Sequence, residues 1–359
     1  MSKARNRIED ARNDQEETVR TMRRTLLLVS LAASLAAVPP ASAQSPEQFY
    51  KGKTIRIMLG HPPGGSYDLY ARLAADFLGK YIPGNPNIIV EHKPGGGGVV
   101  ATAFFYAQSP KDGTVMGLFP ETIAHTQILE PDVGKWKVQE MPYVGSFASV
   151  NPAFVVRKGA AAKTAEEMRK TSIVAGCTGR NSQSYQFPAM LNALAGFKFK
   201  IVCGYKGSAD SILAMERGEV DIVSSAWNSW RATHRSPIES GELTAVIQGG
   251  LKRNRELANV PLMQELVDDP KAKQVLEFAS AGASIGRALI VPPGVPAERL
   301  AVLRAAFDKV VQDSEFIASA EKRGAEIDPT PGAEVDKFRD KILNAPKDLV
   351  EMADKAMGG

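Results

Sequence analysis

The chain has 359 residues, 44% of them apolar, with 44 Lys and Arg against 40 Asp and Glu for a formal net charge of +4. That length carries two domains with full cores. The near balance of charge gives no footing to nucleic-acid binding, and no internal apolar run reaches the roughly 20 residues of a membrane span.

Residues 1–43 read as an N-terminal extension followed by a signal peptide. Arg20, Arg23 and Arg24 form a basic stretch, residues 26–38 are apolar, and Ala41-Ser42-Ala43 is a small-residue cleavage site. Cleavage is expected after Ala43. Met22, directly before Arg23-Arg24, is expected to be the natural start. The arginine pair hints at twin-arginine export, but the general secretory route is the expectation. The product is then a near-neutral periplasmic protein.

After a short lead-in over 44–53, the periodicity predicts strands at 54–59, 87–91 and 114–119, alternating with helices at 66–80, 98–108 and 121–129. That order argues for a parallel sheet. A linker over 131–149 contains Trp136 and Pro142. A second alternating series then places strands near 153–156, 172–175, 198–202, 220–224 and 243–248, with helices near 163–170, 184–194, 208–217 and 226–240. The tail carries a strand at 287–292, a helix opened by Pro296, and helices near 315–323 and 333–355. The expected architecture is α/β, with two parallel-sheet lobes joined by two hinge crossings. Residues 44–148 with 249–359 form lobe 1 and residues 149–248 form lobe 2, with a cleft that closes around a ligand.

The two cysteines, Cys177 and Cys203, each end a predicted strand. An oxidising compartment and neighbouring strands permit a disulfide. Connectivity is not readable from sequence, and two separate buried thiols are the expectation.

Three loops at strand C-termini carry candidate binding groups, the edge where open parallel sheets bind ligands. The first is His61-Pro62-Pro63-Gly64-Gly65 before a helix. It leaves the N–H groups of Gly65, Ser66 and Tyr67 at a helix N-terminus, an anion socket without a basic side chain. Asp68 is expected to turn inward and bond loop amides; a plain turn explains the prolines and glycines equally well. The second, Gly176 to Ser184, is rich in glycine, hydroxyl and amide residues. Asn181, Ser182 or Ser184 can cap the next helix, but capping explains one or two such residues rather than six. Arg180 is a bidentate carboxylate donor or a solvated loop arginine. In the third, Gly204 to Ser208, Tyr205 is a candidate pocket wall, Ser208 a cap and Lys206 solvated. The glycine run Gly95 to Gly98 reads mainly as a left-handed turn entering a helix. Trp227 and Trp230 read as core at helical spacing rather than as pocket walls.

These blocks together resemble a known family. HPPGGSYDLYARLAA, PGGGG followed by SPKDGTVMGLF, YKGSADSILAMERGEVDIV and VPPGVPAERLAVLRAAF are similar to the ordered signatures of the solute-binding receptors of tripartite tricarboxylate transporters, the Bug family. The likeness covers roughly residues 47–345. It implies a type II periplasmic-binding-protein (Venus flytrap) fold and capture of a small carboxylate for the large and small membrane subunits of such a transporter. It also implies a monomer with no enzymatic activity, cofactor or metal. The implied ligand-binding residues are Gly64, Gly65, Ser66 and Asp68 in the first loop, Thr122 after the third strand, Thr178, Gly179, Asn181 and Ser182 in the second lobe, and Tyr205. The chain departs from the family pattern at His61, at Cys177 to Asn181 and at Ser224-Ser225-Ala226-Trp227, all expected to face the pocket.

Other classes are weaker. There is no Gly-x-Ser-x-Gly elbow and no His-Glu-x-x-His helix, and His61, His92, His125 and His234 are dispersed. A ligand-presenting partner of a membrane kinase would share the same cleft and differ only in its docking surface.

Overall fold

Twenty-four strands and helices of the computed structural model, which describes residues 44–358 and Met22, lie in one compact unit, Pro46–Gly359. The expectations for the signal peptide, its cleavage and the start at Met22 fall on residues 1–43, whose structure, Met22 aside, lies outside the described residues. In chain order the first part contains α1 (Pro46–Tyr50), β1 (Thr54–Leu59), α2 (Ser66–Phe77), β2 (Asn87–His92), α3 (Val99–Gln108), β3 (Val115–Leu118), α4 (Ile123–Leu129) and β4 (Tyr143–Ser146). Then come β5 (Pro152–Arg157), α5 (Ala165–Lys170), β6 (Ile173–Cys177), α6 (Gln183–Ala195), β7 (Phe199–Cys203), α7 (Ser208–Glu216), β8 (Ile222–Ala226), α8 (Trp227–Glu239) and β9 (Leu243–Gln248). The last part adds α9 (Pro270–Ser280), β10 (Ala288–Ile290), α10 (Ala297–Val310), α11 (Ser314–Lys322), β11 (Thr330–Pro331), α12 (Gly332–Leu343) and α13 (Lys347–Ala356).

The strands form two sheets. One has six strands in the order β11-β4-β10-β3-β1-β2, and the other five in the order β7-β6-β8-β5-β9. Both are mixed, which corrects the expectation of purely parallel lobes. β1 pairs in parallel with β2 and β3, and β6 with β7 and β8. β10 is antiparallel to β3 and β4, and β5 is antiparallel to β8 and β9. The reason lies in the connections. A strand–helix–strand crossover returns each strand in the same direction. β5 enters directly from β4 with no helix between, and β10 arrives from the other sheet, so neither direction is set by such a unit.

The two passages between sheets run side by side. The Phe147 N–H donates to the Arg287 carbonyl at 3.0 Å, the Arg287 N–H to Ala148 at 2.9 Å, and the Val150 N–H to Ala283 at 3.0 Å. β1 shows how the pattern builds the core: Ile55, Ile57 and Leu59 face one apolar cluster while Met58 enters the other. On α2, Tyr70, Leu73 and Ala74 are buried at helical spacing against the first of these. Trp227 and Trp230 are buried in a third cluster beneath β5 and β8, as expected of core residues.

Three elements differ from expectation. β4 lies inside the stretch read as a linker, α9 occupies a region without an assigned element, and the single tail helix is two, separated at Asn344-Ala345-Pro346. Pro346 disfavours helical geometry at Ala345 and sits at the N-cap of α13.

Cys177 and Cys203 are bonded to each other, which corrects the expectation of separate thiols. β6 and β7 are parallel neighbours in register, so these residues are direct partners with Cα atoms 4.2 Å apart. The bond closes a loop with a sequence separation of 26. Replacing both cysteines with alanine is expected to cost about 3 kcal/mol through the loop entropy regained by the unfolded chain, measured by urea unfolding of the oxidised protein and the double variant.

His125, on α4, is 1% exposed, and its Nε2 donates to the Phe278 carbonyl on α9 at 2.9 Å. Burial pushes its pKa down to about 4. A base with a depressed folded-state pKa takes up its proton first in the unfolded chain, so its contribution is intact above about pH 6.5 and is lost as pH falls towards 4. His125→Gln is expected to remove on the order of 2–3 kcal/mol of that acid sensitivity, read from urea midpoints at pH 7.5 and pH 4.5.

Candidate functional site

Five loops that follow strand C-termini meet around one cavity. β1 leads into α2, β3 into α4, β6 into α6, β7 into α7 and β8 into α8. The first residues of these helices, or the caps before them, supply the walls: Ser66 and Tyr67, Thr122, Ser182 to Ser184, Ser208 with Ser211, and Ala226. Glu121, Thr178, Ser224, Ser225, Arg287 and His61 add to them. Each helix N-terminus brings amides without helical acceptors and partial positive charge. The void is about 50 Å³, room for roughly three to five waters at about 10–15 Å³ each. Most of the residues that line it carry hydrogen-bonding side chains, with Pro120, Val223 and Ala226 between them.

The side nearest β1 centres on a buried charge pair. Arg287 Nε donates to Ser66 Oγ at 2.7 Å, and one terminal nitrogen donates to Glu121 Oε2 at 3.0 Å. The Tyr67 hydroxyl donates to the same carboxylate oxygen at 2.6 Å, and the guanidinium lies 4.0 Å from the centre of the Tyr67 ring. Burial holds the Tyr67 phenol well above its usual pKa, so it stays a donor. His61 stacks on Tyr67, its ring 4.3 Å away and nearly parallel. Burial first, and the Arg287 charge second, push His61 down to about 4, so it is neutral at pH 7. Its Nδ1 has no hydrogen-bond partner among the described residues.

The opposite side is a hydroxyl network. The Thr178 hydroxyl donates to Ser182 Oγ at 2.9 Å, Ser182 Oγ lies 2.7 Å from Ser184 Oγ and donates to the Gly179 carbonyl at 2.7 Å, and the Thr178 N–H donates to Ser184 Oγ at 3.1 Å. Gln183 and Ser224 exchange two bonds, at 3.1 and 2.8 Å. The disulfide anchors this side, because Cys177 precedes Thr178 and Cys203 precedes the loop into α7.

Elements of the two sheets touch around the rim. The Thr122 hydroxyl donates to the Asn181 carbonyl at 2.9 Å, and Asn228 Nδ2 donates to the Tyr70 hydroxyl at 2.8 Å. Arg180 pairs with Glu130 at 3.4 Å and lies over the Tyr185 ring, so it latches the rim rather than entering the cavity. Gly95 to Gly98 all have positive φ. A Cβ on Gly179 would stand 2.9 Å from the Gly97 amide nitrogen, so the two loops meet backbone to backbone.

Of the expected binding residues, Ser66, Thr122, Thr178 and Ser182 line the cavity. The other six stand outside it. Asp68 is turned inward: it accepts from the Gly64 N–H at 3.1 Å, Arg72 at 2.9 Å and His92 at 2.8 Å. Burial would raise its pKa, and these bonds outweigh it and hold it below its ordinary value. Gly64 and Gly65 carry the turn into α2, and Gly179 packs on the glycine run. Asn181 offers its carbonyl to Thr122 while its Nδ2 has no partner among the described residues. Tyr205 packs with Val174 against the third apolar cluster.

The sequence reading missed Glu121 and Arg287, named Tyr67 only for its N–H, took Ser208 only as a cap, and described the first socket as lacking a basic side chain. Arg287 corrects that last point. It lies 221 residues from Ser66 in the chain, and its only local signal is a charge directly before the wholly buried strand β10.

The profile described as "Tripartite tricarboxylate transporter family receptor" matches residues 70–354. A protein of Cupriavidus necator, "UPF0065 protein in gbd 5'region", is 24% identical over 330 residues, covering 89% of this chain and 92% of its own. The solved periplasmic binding protein BugD superposes with a TM-score of 0.68 at 19% identity, covering 86% of this chain and 98% of its own. MatC from Rhodopseudomonas palustris, solved with bound malate, gives 0.66 at 19% identity over 83% of this chain and 99% of its own.

Truncating one partner of a buried pair leaves the other charge unmatched. Arg287→Ala is therefore expected to lower stability by about 3–5 kcal/mol. Arg287→Met combined with Glu121→Leu should lose less than the sum of the single truncations, which a double-mutant cycle in urea reads directly.

Proposed function

This chain belongs to the tripartite tricarboxylate transporter receptor family, and from that premise we propose that it captures a small carboxylate between two lobes and presents it to the large and small membrane subunits of a tripartite tricarboxylate-type transporter. The family is one of solute-binding receptors, not of enzymes, and its members are periplasmic. We place this chain in the periplasm as an exported monomer. Lobe 1 is 44–148 with 249–359 and lobe 2 is 149–248, and the paired passages 147–151 and 281–287 form the hinge.

The observation that carries this reading is the convergence of helix N-termini on a cavity whose one basic side chain is already paired. Main-chain amides and hydroxyls at α2, α6, α7 and α8 supply donors to an anion without competing counter-charges. Ser66, Thr122, Thr178 and Ser182 contact the acid. Gly64, Gly65, Asp68, Gly179, Asn181 and Tyr205 shape the loops that present those groups. The rim contacts close the cavity over the ligand, so entry and release need the lobes to part about the hinge.

A panel of mono-, di- and tricarboxylates tests this by thermal shift, with calorimetry on each hit. An acid present at about 100 times its dissociation constant adds roughly 2.7 kcal/mol to folding and raises the melting temperature. If no carboxylate in the panel shifts the transition, carboxylate capture is wrong.

A further inference from the structure

The charge pair in the cavity is incompletely used. Every hydrogen bond that reaches Glu121 lands on Oε2: the Tyr67 hydroxyl at 2.6 Å and Arg287 at 3.0 Å. Oε1 takes none among the described residues. Arg287 spends Nε on Ser66 and one terminal nitrogen on Glu121, and its second terminal nitrogen has no partner among the described residues. Both residues line the cavity, and their side chains keep only 4% and 6% of their surface. A carboxylate oxygen and a guanidinium nitrogen without partners among the described residues thus belong to one nearly buried pair that lines the cavity.

Buried polar groups are paired in folded proteins, so the contents of the cavity must meet them. A carboxylate oxygen only accepts, and a guanidinium only donates. A plain carboxyl group meets the arginine but leaves Oε1 facing a like charge. A carboxyl group with a hydroxyl or ammonium on the adjacent carbon meets both, its oxygen on Arg287 and its donor on Glu121. His61, which also lines the cavity, has an Nδ1 without a partner among the described residues and adds polar capacity there.

We propose that Glu121 is the specificity-determining residue of this receptor, selecting among small carboxylates those that carry a hydroxyl or ammonium donor beside a carboxyl group. The inference rests on the carboxylate reading above and narrows it. A site whose buried acceptor is left unmet by the wrong ligand rejects that ligand far more strongly than shape alone does.

The test is calorimetry on the purified wild-type chain at fixed pH with ligands matched in length: succinate, malate and aspartate, then glutarate, 2-hydroxyglutarate and glutamate. The expected result is that at least one donor-bearing acid in a series binds about tenfold or more tighter than its plain diacid. Whether hydroxyl or ammonium wins identifies the donor. Glu121→Gln, checked for folding by circular dichroism, is expected to cut that ratio to about threefold or less, chiefly by weakening the donor-bearing acid. The proposal is overturned if the plain diacids bind within tenfold of both partners in the wild type, a result that does not depend on the variant folding. It is also overturned if a folded Glu121→Gln protein keeps the wild-type ratio. Failure of all six acids to bind overturns this inference, while the carboxylate reading falls only if the whole mono-, di- and tricarboxylate panel also fails, so the two failures are distinguishable.

Discussion

A guanidinium buried at the junction of the two sheets is the constraint around which this cleft is built. Arg287 lies on the return passage, where its own backbone N–H and carbonyl tie that passage to Phe147 and Ala148 on the outgoing one. Its side chain reaches into the cavity and takes Ser66 and Glu121 as partners. Removing a charge from water costs several kcal/mol unless it is matched by geometry of good quality. Here the match is complete on one side: a carboxylate, a hydroxyl acceptor and an aromatic face. Every one of these partners comes from elements of the first sheet. Opening the cavity would therefore wet the pair without breaking it, because none of its partners lies on the second sheet.

The other half is assembled differently. Thr178, Ser182 and Ser184 bond to one another and to their own backbone, and the disulfide at Cys177 and Cys203 fixes the strand ends from which they hang. Three hydroxyls in mutual contact can reverse donor and acceptor roles without moving a heavy atom. That side is adaptable in hydrogen bonding but fixed in position, whereas the Arg287 side is fixed in both. Contacts across the rim are few. Arg180 with Glu130 is a partly exposed pair, of a kind worth about 0–1 kcal/mol. Thr122 to Asn181 and Asn228 to Tyr70 are single bonds, each worth about 1 kcal/mol net. These contacts add little to what already joins the two sheets, because one buried apolar cluster runs from Met58, Phe105 and Phe119 to Phe154, Phe187 and Phe199.

How much of this was legible in the sequence follows from which interactions are local. β1, α2 and the Pro62–Gly65 turn were readable because period-two burial, helical spacing and turn chemistry all act within a few residues. Asp68 was expected to face inward, on the ground that a carboxylate in the first turn would otherwise repel an anion, and it bonds the Gly64 amide. The directions of β5 and β10 were not readable, since only a strand–helix–strand unit encodes direction and both strands arrive by passage between sheets. β4 is four residues long without a bounding glycine signal, so it vanished into the linker. The pairing of Cys177 with Cys203 depended on β6 and β7 being neighbours in register, a tertiary fact. Arg287 carries no local mark of its role at all.

The cavity also explains why its walls are serine and threonine rather than lysine and arginine. On the proposed reading, a free cation in a closed, low-dielectric space would hold an acid too tightly for a receptor that gives it up, because Coulomb attraction at 4 Å grows from about 1 kcal/mol in water to several times that as the effective dielectric falls. Helix N-termini and hydroxyls supply potential in smaller portions, each typically 0.3–1 kcal/mol at a helix end, and they lose strength together as the lobes open and water enters. The single arginine present is neutralised by Glu121, which preserves that graded attraction and adds a directional acceptor. On that same proposed reading, binding strength is coupled to closure of the cleft.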